Sequence, residues 1–304
     1  MTLIGTPPNA IFAGIVEQQY GQTIRLLDWM IFAFPLSFIM LIVTWYYLTR
    51  LVYPSGIKHI PGSREAIRRE TAELGPVSRE EFMITVVLLL VMLGWIITGL
   101  MDVEELRFVK DSTIAIGGAL LLFIIPSNLK AREFLLDWKT AVTIPWDVLI
   151  LFGGGFALAA GFSESGLTKS FAELLIGLQG TSIIVIVAGI TTLIILLTEM
   201  TSNTATASIS LPVMMAVADA LQIHPYGIMI AAAIASSFAF MLPVATPPNA
   251  IIFGSRYVTI PQMVKAGLGL NLIGILVITL FVVFFLPLVW GIDIAAFPSL
   301  FSAG

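Results

Sequence analysis

The chain has 304 residues, of which 58% are hydrophobic and 11% charged, with a net charge of −4 and a mean hydropathy of +1.00. A typical soluble domain carries roughly 25% charged residues, so lipid rather than water is the solvent for most of this sequence. No cysteine is present, which excludes disulfides and thiolate metal sites, and His59 and His224 sit in polar stretches between apolar runs, so a histidine-based hydrolase or metalloenzyme within a membrane is hard to assemble.

The first residues, Met1–Ala13, lack the basic region that opens a secretory signal and run into the break Pro7-Pro8-Asn9. Apolar runs near the roughly 20 residues needed to span hydrocarbon follow at Trp29–Leu51, Phe82–Met101, Thr181–Thr201, Tyr226–Ala245 and Leu268–Trp290, with shorter ones at Ile114–Pro126 and Val148–Phe162. Between the first two lies the largest polar block, Tyr53–Glu81, in which Lys58, Arg64, Arg68, Arg69 and Arg79 mix with glutamates, as in a solvated loop. Within it Ser63–Leu74 reads as a surface helix stopped by Gly75-Pro76. After Ser202-Asn203-Thr204, the stretch Ala205–Leu221 is apolar yet carries Ser208, Ser210, Pro212 and Asp219. Two apolar runs joined by three polar residues cannot both span with the joint in water, so they read as a re-entrant hairpin with its tip at membrane depth.

Lys and Arg bias loops toward the cytoplasm. With the block after Leu51 inside and one hairpin entering from outside, Arg50, Lys58, Arg64, Arg68, Arg69, Arg79, Lys130, Arg132, Lys139, Arg256 and Lys265 fall inside, and Arg25, Arg107, Lys110 and Lys169 outside. That split, 11 against 4, favours this orientation and puts the acidic loop with Asp102, Glu104, Glu105 and Asp111, and the C-terminus, outside.

The pentapeptide Thr6-Pro7-Pro8-Asn9-Ala10 recurs as Thr246-Pro247-Pro248-Asn249-Ala250, each copy followed by isoleucine and then by glycine, Gly14 and Gly254. Pro-Pro lacks two backbone donors and disfavours helix before it, so each copy breaks a membrane helix and frees carbonyls. Such backbone is tolerated at depth only where it is buried in protein or lines a cavity, and a matched pair of breaks points to a transporter's central site. In the orientation above, the first copy leads outward toward Arg25 and the second inward toward Arg256, an inverted repeat. A simple kink would explain neither the repeated Thr and Asn nor the inversion.

Upstream of the second copy, Thr198-Glu199-Met200-Thr201-Ser202-Asn203-Thr204-Ala205-Thr206 gathers hydroxyls and an amide at the hairpin tip. Neutral oxygens suit a desolvated sodium ion, and the N–H groups opening the returning helix suit a carboxylate. Taken singly, each residue could instead bond back to its own helix or join two helices. Glu199 is equally a functional group at membrane depth or one that pairs within the protein. Gly153-Gly154-Gly155 lacks the Lys-Ser/Thr of a phosphate loop and reads as close helix packing. Trp146 and Asp147 read as an interface anchor.

The Ser-Asn-Thr tip, the Ala245–Ala250 break and the run Pro145–Gly155, in that set and over essentially the whole chain, resemble the divalent anion:sodium symporter family. The resemblance implies an all-α polytopic membrane protein, an inverted-repeat transporter with broken helices and a re-entrant hairpin, forming a homodimer in which a transport domain moves past a scaffold like an elevator. It implies sodium-coupled symport of a small di- or tricarboxylate such as succinate, malate or citrate, or of sulfate, across the cell (inner) membrane. It further implies sodium as the coupling ion, with no organic cofactor and no nucleic acid. By motif, Ser202, Asn203, Thr204, Thr246 and Pro247 would line the anion, with Thr6 and Pro7 beside it. Thr198, Thr201, Asn203 and Ala245 would hold one sodium, partly through carbonyls, and Gly5 would belong to another.

The implied organisation has residues 1–52 as the transport-domain part of the first repeat, 53–81 as a cytoplasmic loop and 82–163 as scaffold helices of the second repeat. Residues 164–180 form an extracytoplasmic connector, and 181–304 the hairpin, broken helix and last span of the transport domain. The family pattern has another Ser-Asn-Thr hairpin before the first break, whereas this sequence starts five residues before Thr6. The reading therefore expects the N-terminal part, scaffold helices and first hairpin, to be missing. An anion exchanger, or a sulfate- or arsenite-type permease of similar architecture, would use the same neutral donors, and a non-transporting fragment is a further reading. An intramembrane enzyme would need a nucleophile and base or paired acids facing one another, and no such set is visible.

Overall fold

A computed structural model describes residues 2–54, 62–100, 109–128, 133–165 and 180–298. In lipid every backbone polar group must be satisfied within the protein, which selects helices, and helices dominate the described residues. In order they are α1 (Pro7–Tyr20), α2 (Leu26–Tyr46, continued by a π-helical turn Tyr47–Val52), α3 (Ser63–Leu74), α4 (Arg79–Leu100), α5 (Asp111–Ile124), the strands β1 (Pro126–Asn128) and β2 (Glu133–Phe134), α6 (Trp138–Ala141), α7 (Trp146–Glu164), α8 (Ile183–Met200), α9 (Asn203–Leu221), α10 (Pro225–Ala235), α11 (Pro247–Gly254), α12 (Ile260–Leu280, continued by π-helical Phe281–Phe285) and α13 (Leu286–Trp290).

Among the described residues five helical stretches are long and apolar enough to cross a membrane: Leu26–Val52, Arg79–Leu100, Ile183–Met200, Asn203–Leu221 and Ile260–Trp290. The expected all-α polytopic class is observed. The surface helix has the expected bounds, Ser63–Leu74, and stops at Gly75, whose φ of 71° suits glycine. The expected run Tyr226–Ala245 is different: it is helical only to Ala235 and then unwinds until Pro247. Side chains from neighbouring helices take up the backbone groups this releases. The last span opens at Ile260, eight residues before its apolar run, because Thr259 and Gln262 form a capping box at its start. The β1–β2 ribbon is antiparallel, with Pro126 opposite Phe134, and segments this short leave no periodic signal.

The described contacts form two compact units. The first comprises 1–24, 28–45 and 146–304. Its centre is α10, in which every residue from Pro225 to Ala235 is buried, as a helix apolar on all sides must be. Helices α1, α8, α9 and α12 pack on it. Rings fill one part of this core, with Phe12 5.6 Å from Trp29 and 6.0 Å from Tyr226, and Tyr226 5.9 Å from Trp290. Helix α7 packs on α9, and a Cβ at Gly155 would lie 3.2 Å from that of Ser208.

The second unit comprises 25–27 and 46–145. Its helices α4 and α5 pack together where Gly118 meets Val91 and Gly94 meets Ile114. Trp95 Nε1 donates to the Asp111 carbonyl at 2.9 Å, and Asp111 Oδ2 accepts from Leu26 N at 3.1 Å. Leu88, Leu89 and Leu90 are exposed on α4, a face suited to acyl chains. Lys58, His59, Asp102, Glu104, Glu105, Arg107, Lys130, Arg132, Lys169 and most of the connector lie outside the described residues.

Candidate functional site

The repeated pentapeptide adopts one backbone twice. Thr6 precedes α1 with φ −143° and ψ 146°, and Thr246 precedes α11 with φ −142° and ψ 150°. Both are extended, as the residue before proline must be, and the two prolines then occupy the first helical positions, where a missing N–H costs nothing. Asn9 Nδ2 donates to the Thr2 carbonyl and Asn249 Nδ2 to the Leu242 carbonyl, each at 3.1 Å and seven residues upstream. Gly5 N donates to Thr2 O (3.1 Å) and Ala245 N to Leu242 O (3.5 Å), so the turns before the two breaks share these two bonds. Gly5 and Ala245 are thus equivalent positions, each one residue before its break.

Helices α8 and α9 are joined at Thr201 and Ser202, and α9 starts at Asn203. Pro-free and short, this joint is closed by side chains: Ser202 Oγ accepts from Ala205 N at 3.1 Å, capping α9. Two-thirds of the apolar window of α9, 67%, is buried within the protein, against 11% for α4, so this hairpin arm faces protein rather than lipid.

Thr198, fully buried, centres the polar contacts of the tip. Its Oγ1 lies 2.8 Å from Asn203 Oδ1 and 2.7 Å from the Ser236 carbonyl, in the unwound segment. A hydroxyl has one proton to donate, so three oxygens converge around a single hydrogen. Lone pairs left facing one another in this part-buried place favour a cation. The next residue, Ser237, donates from Oγ to Thr6 Oγ1 at 3.3 Å, linking this cluster to the first break. Beside that link is a cleft of about 220 Å³ lined by Thr6, Asn9, Trp29, Ser37 and Ser237 among others.

The remaining expected residues divide. Thr201 turns to its own hairpin, donating to Leu197 O (3.0 Å) and pairing with Thr206 Oγ1 at 2.6 Å. Thr246 Oγ1 accepts from Asn249 N at 3.4 Å and caps α11. Thr204 sits half-buried in the first turn of α9. Pro7 and Pro247 carry no donor, so at both breaks the first-turn amides offer little to an anion, whereas α9 opens with amides of a nineteen-residue helix at the tip.

Sequence reasoning alone misses several partners. Ser236 contributes a carbonyl, visible only once the unwinding is known. Asn249 holds the Ala239 and Leu242 carbonyls at 2.8 and 3.1 Å, a role its repeat with Asn9 could have signalled. Glu199 is 3% exposed and paired within the protein, accepting from Phe240 N, Met241 N, Leu242 N and Asn271 Nδ2 at 2.7–3.0 Å. Gly155 packs closely while Gly153 and Gly154 have open space, so one glycine of three fits the packing reading.

The sequence pattern of the sodium:sulfate symporter transmembrane region matches residues 1–291. The chain belongs to this family, that of the divalent anion:sodium symporters. It is 42% identical over 297 residues to the sodium-dependent dicarboxylate transporter SdcS of Staphylococcus saprophyticus, and 45% identical over 296 residues to SdcS of Staphylococcus aureus strain MRSA252. Each match covers 96% of this chain and 57% of the relative, so the chain spans a little over half the length of these relatives. The family is one of membrane transporters rather than enzymes, and with its apolar helices the chain is an integral, multi-pass membrane protein.

Proposed function

We propose that the chain forms the larger part of a sodium-coupled symporter of small dicarboxylates. The observation that carries this reading is the convergence of Thr198 Oγ1, Asn203 Oδ1 and Ser236 O around one proton at the hairpin tip. Sodium would sit among these oxygens with help from Thr201 and Ala245, partly through carbonyls, and Gly5 would serve a second ion at the equivalent place in the first repeat. The anion would lie against the start of α9, touching Ser202, Asn203 and Thr204, with Thr246, Pro247, Thr6 and Pro7 around it. Asn203 would face the ion with its oxygen and the anion with its NH2, so that each ligand favours the other.

Dicarboxylate is favoured over sulfate by the names of the relatives at 42–45% identity, while the family's own name keeps sulfate as the second candidate. The matched breaks support inverted repeats. On this reading α8–α13 with α1 and α2 belong to a moving transport domain, α4–α7 to the scaffold, and the protein works as a homodimeric elevator in the cell membrane with its C-terminus outside. The hairpin α8–α9 would be re-entrant, and a counterpart would precede Thr6.

Uptake into proteoliposomes tests the substrate class, using a fusion in which the upstream part of the S. aureus relative precedes Met1. Labelled succinate should enter with sodium outside and not with choline, and malate should compete better than sulfate. Competition by sulfate but not by malate would overturn the dicarboxylate assignment.

A further inference from the structure

Glu199 is a charged group on an apolar helix, an expensive placement in lipid unless its oxygens are fully engaged. They are. Oε1 accepts from Phe240 N (2.8 Å), Met241 N (2.9 Å) and Asn271 Nδ2 (2.7 Å), and Oε2 accepts from Met241 N and Leu242 N, both at 3.0 Å. Three successive backbone N–H groups curled around an anion form a nest. Here the anion is built into the protein.

The same segment is held from its other sides. Asn249 takes the Ala239 and Leu242 carbonyls, and the backbone of α12 comes close because it is glycine at two points. A Cβ at Gly267 would clash with the Phe240 carbonyl, and one at Gly274 would lie 2.7 Å from the Phe238 ring. Asn271 stands between these glycines on the same helix face and reaches Glu199. Thr198 and Glu199, adjacent on α8, therefore grip both ends of one turn: Thr198 at the Ser236 carbonyl and Glu199 at the amides of 240–242.

We infer that Glu199 is a positioning residue of the transporter, setting the ion affinity of the tip by clamping the unwound segment 236–242 so that the Ser236 carbonyl stays aimed at Thr198 and Asn203. This rests on the sodium reading above. Its negative charge, one residue from Thr198, adds a Coulombic preference for a cation in a poorly screened place. A neutral side chain of the same shape would lose both effects. In Glu199→Gln an NH2 replaces one acceptor and meets amide N–H groups donor to donor.

Hydrogen–deuterium exchange of the fusion protein in lipid nanodiscs tests this, read at residues 201–205 and 238–243 during a sodium titration balanced with potassium. In the parent, sodium should slow exchange at both segments. Glu199→Gln should keep α10 protected yet raise the sodium midpoint at 201–205 about tenfold or more, the worth of a charge-assisted hydrogen bond. Asn271→Ala, which removes one neutral donor and leaves the carboxylate on its amides, should raise it about two- to tenfold. Parent-like midpoints in Glu199→Gln would overturn the inference while leaving the sodium site standing. Should that variant lose protection of α10, a parent-like midpoint in Asn271→Ala overturns it equally. No effect of sodium on the parent would overturn the ion reading and this inference with it.

Discussion

At the scale of single residues, Asn203 and Thr246 carry different loads. Asn203 Oδ1 belongs to the oxygen cluster at Thr198, whereas the Thr246 hydroxyl caps a helix already opened by prolines. Losing a hydrogen bond to a charged group costs about 1.5–3 kcal/mol, roughly ten- to a hundredfold in affinity. In uptake by the fusion protein, Asn203→Ala should weaken succinate and blunt its dependence on sodium, while Thr246→Ala should weaken succinate chiefly. Asn203→Ala uptake within about twofold of the parent at sub-saturating sodium and succinate would make the tip a helix joint and nothing more.

His224 carries a pH prediction. Its Nδ1 accepts from Tyr226 N at 3.2 Å, capping α10, and burial pushes its pKa down to about 4, partly opposed by the Asp293 carboxylate. The folded pKa lies below the unfolded value near 6.5, so the stability it confers is full above pH 6.5 and is lost as pH falls toward 4. Discounted for the solvent that still reaches the ring, the loss is on the order of 1–2 kcal/mol. Thermal unfolding in detergent should show this decline, and His224→Asn, which keeps an acceptor without a titrating ring, should flatten it. Equal acid sensitivity in both proteins would assign the decline to other groups.

Among elements, what the sequence discloses depends on whether its signal is local. The two breaks were legible because Pro-Pro dictates extended backbone before it and a helix start after it, and both followed at Thr6 and Thr246. The joint between α8 and α9 was legible to within two residues, because polar residues interrupt two apolar runs there. The start of the unwinding after Ala235 was not: Pro243 marks a break near the end of Ser236–Ala245, but nothing nearer Ala235 sets where the helix stops. Its cause lies far along the chain, in Glu199, Asn249 and the glycines of α12. The same holds for Gly153-Gly154-Gly155, where only a neighbour tells which glycine is needed. A Cβ at Gly155 meets Ser208 of α9 while one at Gly154 meets nothing within 4 Å. Gly155→Val should therefore destabilise by about 1–3 kcal/mol from overpacking, and Gly154→Val by much less. Thermal melts of the two variants decide this, and equal losses would contradict the α7–α9 contact.

For the whole molecule, the class was set by composition, and the spans by hydropathy to within a few residues at most ends. Orientation rests on the basic residues, 11 against 4, several of them outside the described residues. Cysteines placed at Ser63 and Ser112 should be blocked from and open to impermeant thiol reagents in intact cells, respectively, and the reverse pattern would invert the topology.

The central claim is that sodium, held at the tip, drives the anion in the same direction. Net succinate accumulation measures this most directly, in proteoliposomes of the fusion protein that contain no internal anion substrate, under an inward sodium gradient. The account predicts uptake above equilibrium that collapses when the gradient is dissipated. Uptake that requires internal dicarboxylate and proceeds equally under a potassium gradient would contradict it and make the protein an exchanger.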